Sequence, residues 1–316
     1  MEKIAVLIPC YNEELTVAKV INDFRNELPE ADIYVYNNNS KDRTREIALE
    51  NGAIVIDEPR QGKGNVVKSQ FCDIDADIYV MVDGDDTYDA KYVHKLIEPV
   101  RSGKADMTIG DRLSNGVYTK KNKRPFHDFG NKLVKGLINW LFSAHITDIM
   151  TGYRAFSKEF VKNMPVMSKG FEIETEMSLY ALDKDYIIEE IPIVYKDRPK
   201  GSFSKLHTFK DGIKVLRTIR RMFRHYKPLD YYTILALFFF MAGFIIGLPV
   251  LLEFAATKYI TKVPSAILAT GFMGISALTF YAGVILNGIA RQHKEDYELN
   301  LLRYHQIEEL KKELKK

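Results

Sequence analysis

The chain has 316 residues, more than one ordinary domain needs, and a formal net charge of +3, too small to make nucleic acid its principal partner. Cys10 and Cys72 are its two cysteines; they supply no disulfide framework and are expected as reduced thiols. From the N-terminus, strand-like and helix-like stretches alternate. Ile4 to Ile8 reads as a strand, Glu14 to Leu28 as a helix, Ile33 to Tyr36 as a strand and Asp42 to Asn51 as a helix. Ala53 to Ile56 then reads as a strand, Gly64 to Asp73 as a helix and Ile78 to Val82 as a strand. Such alternation predicts an α/β fold with a largely parallel sheet covered by helices on both faces. Ile4 to Pro9 is too short an apolar run for a secretion signal, so the N-terminal region is expected to stay in the cytoplasm.

Ligands of open parallel sheets bind beyond the carboxyl ends of the strands. Three polar clusters fall on that rim: Pro9-Cys10-Tyr11-Asn12-Glu13-Glu14, Asn37-Asn38-Asn39-Ser40-Lys41-Asp42 and Asp83-Gly84-Asp85-Asp86. The last ends a buried apolar run in carboxylates, which suits either a tight turn or a hard cation such as Mg²⁺ or Mn²⁺ shared with substrate phosphates. Asn12 or Glu13 suits a helix N-cap, a role compatible with ligand contact. No Gly-x-Gly-x-x-Gly follows the first strand and no Walker lysine loop occurs, so neither the dinucleotide nor the P-loop phosphate cradle is encoded.

Further along, Leu206, Phe209, Ile213, Leu216, Ile219 and Phe223 recur at helical spacing opposite a face rich in lysine and arginine, the pattern of a helix lying in a membrane interface. Tyr231 to Phe254 carries one charge, Glu253, and Ser265 to Ala290 carries none; each run is long enough to cross a bilayer. Lys210, Lys214, Arg217, Arg220, Arg221, Arg224 and Lys227 precede the first span, and Arg291 and Lys294 follow the second. The connecting loop offers Lys258 and Lys262, so the positive-inside rule places both termini in the cytoplasm. Glu295 to Lys316 reads as a charged helical tail with a short stripe of Ile307, Leu310 and Leu314, which leaves a homo-oligomer open. The expected organisation is a catalytic domain over 1–203, an amphipathic helix over 204–228, a transmembrane hairpin over 229–290 and a tail over 291–316.

The rim motifs together with Gly62-Lys63-Gly64 resemble, in order and spacing, the inverting family 2 glycosyltransferases of the GT-A nucleotide-sugar fold. Gly110-Asp111-Arg112, Arg124, Asp148 with Thr151-Gly152-Tyr153-Arg154, Gly170-Phe171 with Glu176, and Arg198 with Gly201-Ser202-Phe203-Ser204-Lys205 narrow the likeness to dolichol-phosphate mannose synthases and bacterial polyprenyl-phosphate glycosyltransferases. That resemblance covers Lys3 to Lys205. It implies transfer of a sugar from a nucleotide-sugar donor, a UDP-sugar favoured over GDP-mannose, to a polyprenyl (undecaprenyl) phosphate at the cytoplasmic membrane.

By the same resemblance, Pro9, Tyr11, Glu13, Asn37, Asn38, Lys63 and Asp83 would bind the nucleotide, and Asp83 and Asp85 would hold Mg²⁺ or Mn²⁺. Arg112, Arg124, Arg154 and Arg198 would meet phosphate, whose oxygens match guanidinium forks. Asp148 would orient those arginines or take a residual proton. Family members usually carry aspartate where Asn37 and Asn38 stand, so base preference is left open. A lipid phosphate is already largely ionised at neutral pH and needs no strong general base.

Overall fold

The computed structural model describes residues 2–114, 125–199, 201 and 208–314. Residues 1–219 and 220–316 form two compact units. In the first, β1 (Ile4–Cys10), β2 (Asp32–Asn37), β3 (Ile54–Asp57), β4 (Ile78–Met81), β5 (Met107–Asp111), β6 (Arg154–Ser157) and β7 (Ile188–Pro192) form one sheet in the order β3-β2-β1-β4-β6-β5-β7. Its helices are α1 (Val17–Glu27), α2 (Thr44–Glu50), α3 (Lys63–Asp73), α4 (Val93–Arg101), α5 (Pro125–Phe142), α6 (Lys158–Asn163) and α7 (Ile173–Asp183).

The expected α/β architecture is present, with one departure from a parallel sheet. β1 pairs in parallel with β2 and β4, whereas β6 inserts antiparallel between β4 and β5. β1 and β4 are apolar on both faces because both faces are covered, and Ile4, Val6, Ile8, Ile78 and Val80 join Phe24 of α1 in the core. The chain leaves β1 toward β2 on one side, and β4 returns on the other. The strand order therefore reverses between β1 and β4, where such sheets open a ligand crevice.

Element ends differ from the sequence expectation where side chains cap them. α2 begins at Thr44, not Asp42, because Asp42 accepts from the Thr44 amide at 3.0 Å and from its hydroxyl at 2.5 Å. α8 (Thr208–Tyr226) forms within the predicted interface stretch. Its apolar residues divide: Ile219 and Phe223 are buried, while Ile213 and Leu216 are exposed. Leu206 and Phe209 lie outside the described side chains.

In the second unit, α9 (Pro228–Thr257) and α10 (Val263–Leu314) are both long and apolar enough to span a membrane. They approach through small residues: a Cβ on Gly243 would stand 3.1 Å from the Ala269 carbonyl oxygen, and one on Gly283 would stand 2.7 Å from Tyr232 Cβ. Ser276 donates its hydroxyl to the Ala236 carbonyl at 2.8 Å, satisfying a polar group between the helices. Most large apolar side chains of this pair face outward, as a lipid solvent requires. The tail expected as a separate segment is continuous with the second span, one helix of 52 residues.

Candidate active site

The crevice between β1 and β4 is closed at its base by two short-range constraints. Thr16 donates its hydroxyl to the Gly84 carbonyl at 2.6 Å, tying the start of α1 to the turn after β4. A Cβ at Gly84 would stand 2.6 Å from Cys10 Sγ, so the Asp-Gly-Asp turn fits against β1 only with glycine between its acids. Asp86, at positive φ, pairs with Lys19 at 2.7 Å and serves the turn. Pro9 lies near the end of β1 with Tyr11 just beyond it, both half-buried.

Asp83 and Asp85 each carry a cationic partner. Lys63 Nζ contacts Asp83 Oδ1 and lies 2.6 Å from Glu174 Oε1; the lysine and glutamate side chains are both nearly inaccessible. Burial alone would depress the Lys63 pKa, but Asp83 and Glu174 overcome it and hold the ammonium above its usual range. Glu174 shifts the other way: burial and the Asp83 charge raise its pKa, against the pull of Lys63 and Arg154. Asp85 accepts from the Thr87 hydroxyl at 2.5 Å and amide at 3.2 Å, while its other oxygen contacts Arg198 Nη2. Burial and Asp83 raise the Asp85 pKa, with Arg198 opposing. Glu13 reaches Arg198 Nη1 at 3.5 Å, and its amide donates to Thr44 Oγ1 at 2.8 Å.

Gly62 and Gly64 fix Lys63 in that position. The Gly64 amide donates to the Lys169 carbonyl at 3.0 Å, and a Cβ on Gly64 would stand 2.7 Å from the Ser168 carbonyl carbon. The loop they pack against is held by carboxylates. Glu176 accepts from the amides of Met167 at 3.2 Å and Ser168 at 2.6 Å, and Glu172 accepts from Gly170 at 3.2 Å.

The asparagines after β2 are committed to neighbouring loops. Asn38 donates to the Glu58 and Arg60 carbonyls at 2.9 and 2.8 Å and accepts from the Gly62 amide at 2.7 Å and the Gln61 side chain at 3.1 Å. With both amide atoms engaged, Asn38 shapes the floor and presents the 58–62 loop. Asn37 donates to Asp57 at 2.8 Å, and Asp57 is held in its charged form by that bond and by Arg45.

The arginines divide between two environments. Arg198 is a quarter exposed and stands against the acids. Arg112 makes a buried fork with Asp148: Nε to Oδ2 at 2.7 Å, Nη2 to Oδ1 at 3.0 Å, with its amide adding a third bond at 3.1 Å. Its guanidinium also lies 5.3 Å from the Tyr195 ring centroid. Arg154 is not brought to the crevice surface. It is fully buried, donates to the carbonyls of Thr151 at 3.0 Å and Ile149 at 2.6 Å and to Ser178 Oγ at 2.9 Å, and burial lowers its pKa to about 10. Arg124 and Lys205 lie outside the described residues.

Several residues complete the site that motif spacing does not single out. Glu190 accepts from the amides of Thr147 at 2.8 Å and Asp148 at 2.9 Å, placing Asp148 for Arg112. Tyr88 accepts from the Gly152 amide at 3.0 Å, and a Cβ on Gly152 would stand 2.8 Å from the Asp83 carboxyl carbon. Lys196 donates its amide to the Thr87 carbonyl at 2.8 Å and pairs with Asp89 at 3.0 Å, laying the segment before Arg198 along the acid turn. The interleaved Glu172, Glu174 and Glu176 are the one sequence signal for this outer layer.

Among the described residues no group of three or more His, Cys, Asp or Glu side chains could enclose a metal ion. Two neighbouring carboxylates remain, which fits a divalent ion that takes one or two protein oxygens and completes its coordination with phosphates and water.

The family model of glycosyl transferase family 2 matches residues 5–164, which take in Asp83, Asp85, Arg112 and Arg154 and end before Glu174 and Arg198. The chain belongs to glycosyl transferase family 2. Glycosyltransferase AglJ of Haloferax volcanii is 31% identical to this transferase over 299 residues, covering 93% of this chain and 96% of that protein. The dolichyl-phosphate hexose transferase of the same organism is 29% identical over 218 residues, covering 69% and 92% respectively. The structure of Mycobacterium tuberculosis glucosyl-3-phosphoglycerate synthase with Mn²⁺, UDP-glucose and phosphoglyceric acid superposes with a TM-score of 0.56. That likeness spans 70% of the transferase and 80% of the synthase at 19% identity, and it concerns the GT-A-like fold.

Proposed function

We propose that this transferase moves a sugar, with inversion, from a UDP-sugar (UDP-N-acetylglucosamine or UDP-glucose) to a polyprenyl phosphate, undecaprenyl phosphate in a bacterium, at the cytoplasmic face of the membrane that α9 and α10 span. One observation carries the reading: at the β1/β4 crevice an acid pair is matched by two cations, Lys63 and Arg198, that suit phosphate. The hexose transferase relative supports a lipid-phosphate acceptor, and the synthase complex supports a UDP-sugar with a divalent ion.

On this reading Asp83 and Asp85 hold Mg²⁺ or Mn²⁺. When bound, the ion stabilises charge growing on the departing diphosphate. Lys63 places a point charge beside the diphosphate, and the Glu13 rim and the 58–62 loop border the nucleoside. Arg198 meets the acceptor phosphate, and the buried Arg112 adds its charge from the Asp148 fork; the phosphate attacks as an anion, so catalysis rests on positioning and preorganised charge. Asp148 orients Arg112. Glu174 holds Lys63, and Arg154 supports both from the core.

Membranes containing the transferase, supplied with undecaprenyl phosphate and Mn²⁺, are expected to form a lipid-linked sugar from a UDP-sugar and to lose that product in Asp85→Ala. Product from GDP-mannose alone would reassign the donor. Tight nucleotide-sugar binding without turnover from any donor would replace the enzyme by a binding scaffold.

A further inference from the structure

We infer that Arg198 is the resident counter-ion of Asp85 and exchanges there with the divalent ion, so that metal binding frees a guanidinium edge for phosphate; this rests on the metal and acceptor assignments above. A carboxylate offers about four lone pairs, two on each oxygen. At Asp85 both lone pairs of Oδ1 are taken within the turn itself, by the Thr87 hydroxyl at 2.5 Å and the Thr87 amide at 3.2 Å. Among the described residues Oδ2 has one partner, Nη2 of Arg198. An ion that uses Asp85 therefore comes to Oδ2, where a guanidinium already stands. The Asp85 side chain is 5% exposed, so water screens little there, and two cations on one oxygen repel until one leaves.

The two cations of the acid pair differ in how readily they leave. Lys63 bridges Asp83 and Glu174 and is 7% exposed. Withdrawing it would strand the Glu174 carboxylate as an uncompensated buried charge. Asp83 also keeps Oδ2, which accepts no hydrogen bond among the described residues, so an ion can reach Asp83 with Lys63 in place. Arg198 is a quarter exposed, and its other terminal nitrogen, Nη1, lies 3.5 Å from Glu13 Oε1. When the ion takes Asp85 Oδ2, Arg198 stays tethered to Glu13 and its Nη2 edge is released from the acid turn.

The backbone ahead of Arg198 is fixed. The Lys196 amide donates to the Thr87 carbonyl at 2.8 Å, and the Lys196 side chain pairs with Asp89 at 3.0 Å. Tyr195, on the same segment, sets its ring centroid 5.3 Å from the Arg112 guanidinium. The released edge thus belongs to the segment that borders the other arginine of the acceptor site. Exchange makes the two ligands favour each other: the ion removes the carboxylate that competes for Arg198, and a phosphate that holds Arg198 clears Oδ2 for the ion. Such coupling is reciprocal by thermodynamic necessity.

In the test, full-length protein in detergent micelles is titrated with Mn²⁺ without nucleotide, and free Mn²⁺ is read from its electron paramagnetic resonance signal. R198Q is expected to bind Mn²⁺ about 5-fold or more tightly than wild type, the lower end of ordinary coupling between sites. K19Q removes the exposed cation paired with the neighbouring Asp86 and is expected to stay within about 2-fold of wild type. Equal or weaker binding in R198Q would overturn the inference, and so would an equal gain in K19Q, which would reduce the effect to general charge. On the wild-type chain, phenylglyoxal labelling followed at the Arg198 peptide by mass spectrometry is expected to quicken about 5-fold or more with saturating Mg²⁺. A labelling rate that Mg²⁺ leaves unchanged or slows would overturn the inference whether or not the variants fold. Absence of Mn²⁺ binding in wild type and R198Q alike, or binding that D85N leaves unchanged, would instead overturn the metal assignment.

Discussion

Replacing Asp148 by asparagine isolates the buried Arg112–Asp148 pair. Both side chains are over nine-tenths buried and share three hydrogen bonds of 2.7 to 3.1 Å. Asparagine keeps one acceptor but turns a donor toward the guanidinium, and it leaves Arg112 and Arg154 repelling each other without the carboxylate that moderates both. Breaking one side of a buried pair costs about 3–5 kcal/mol. In a catalytic unit of this size that corresponds to a fall in Tm of roughly 6–20 °C.

The pH dependence has a defined sign. Burial alone would raise the Asp148 pKa, but the Arg112 charge and hydrogen bonds hold it below the usual carboxylate range. A depressed folded pKa contributes stability that is complete above the unfolded value of about 4 and is lost as pH falls through the folded one. The gap between wild type and Asp148→Asn, followed by circular dichroism in urea, should therefore be full at pH 7 and narrow below about pH 4. Pairing it with Arg112→Gln should give a double variant less damaged than the sum by about 1–3 kcal/mol. A single-variant loss under about 1 kcal/mol at pH 7, or strict additivity, would refute the structural role of the pair.

Asp85→Asn should lower metal-dependent transfer by about 100-fold or more, as expected on losing a principal charge stabiliser. Its urea midpoint should hold or rise, because burial already raises the Asp85 pKa and the partner Arg198 is partly solvated. Glu174→Gln removes a charge-assisted bond of about 1.5–3 kcal/mol to Lys63. The expected signature is a fall of about 10- to 100-fold in kcat with a smaller change in acceptor KM; an unchanged kcat would remove Glu174 from the machinery. Gly64→Ala drives a methyl group into the Ser168 and Lys169 backbone, within 2.7 and 2.9 Å of their carbonyl carbons. It should cost about 1–3 kcal/mol by overpacking and reduce activity through Lys63, whereas a neutral outcome would show that the 168–170 loop yields freely.

Much of this arrangement was legible because local chemistry and tertiary role coincide. The runs ending at Cys10 and Met81 are apolar throughout, so they read as buried strands, and their polar continuations meet at the strand-order reversal. Gly62-Lys63-Gly64 was legible as a motif that carries Lys63, whereas the close approach of its glycines to the 168–169 carbonyls shows only in the fold. Arg154 was misleading in isolation: a cation in a motif suggests a ligand, but strand pairing turns this one inward onto backbone carbonyls that no linear pattern reveals. Asn38 and Asp86 likewise take partners 20 to 67 residues away. The continuity of α10 has a simpler cause, since neither glycine nor proline interrupts the sequence from Ile289 to Leu314.

Accessibility separates the groups that can meet a substrate from those that hold them. One ladder runs outward from the buried Arg154 through Glu174 and Lys63 to Asp83, each charge facing its opposite. Glu13 and Asp85 converge on Arg198 as a second cluster. Along both, side-chain exposure stays below a tenth until Asp83 at 26% and Arg198 at 25%. The solvent-facing ends are thus one carboxylate and one guanidinium: the first suits a cation, the second a phosphate. Buried alternating charges hold both ends in place before any ligand arrives, which is the condition under which fixed charge assists a reaction without reorganisation. A phosphate acceptor that arrives already ionised asks for no more than this.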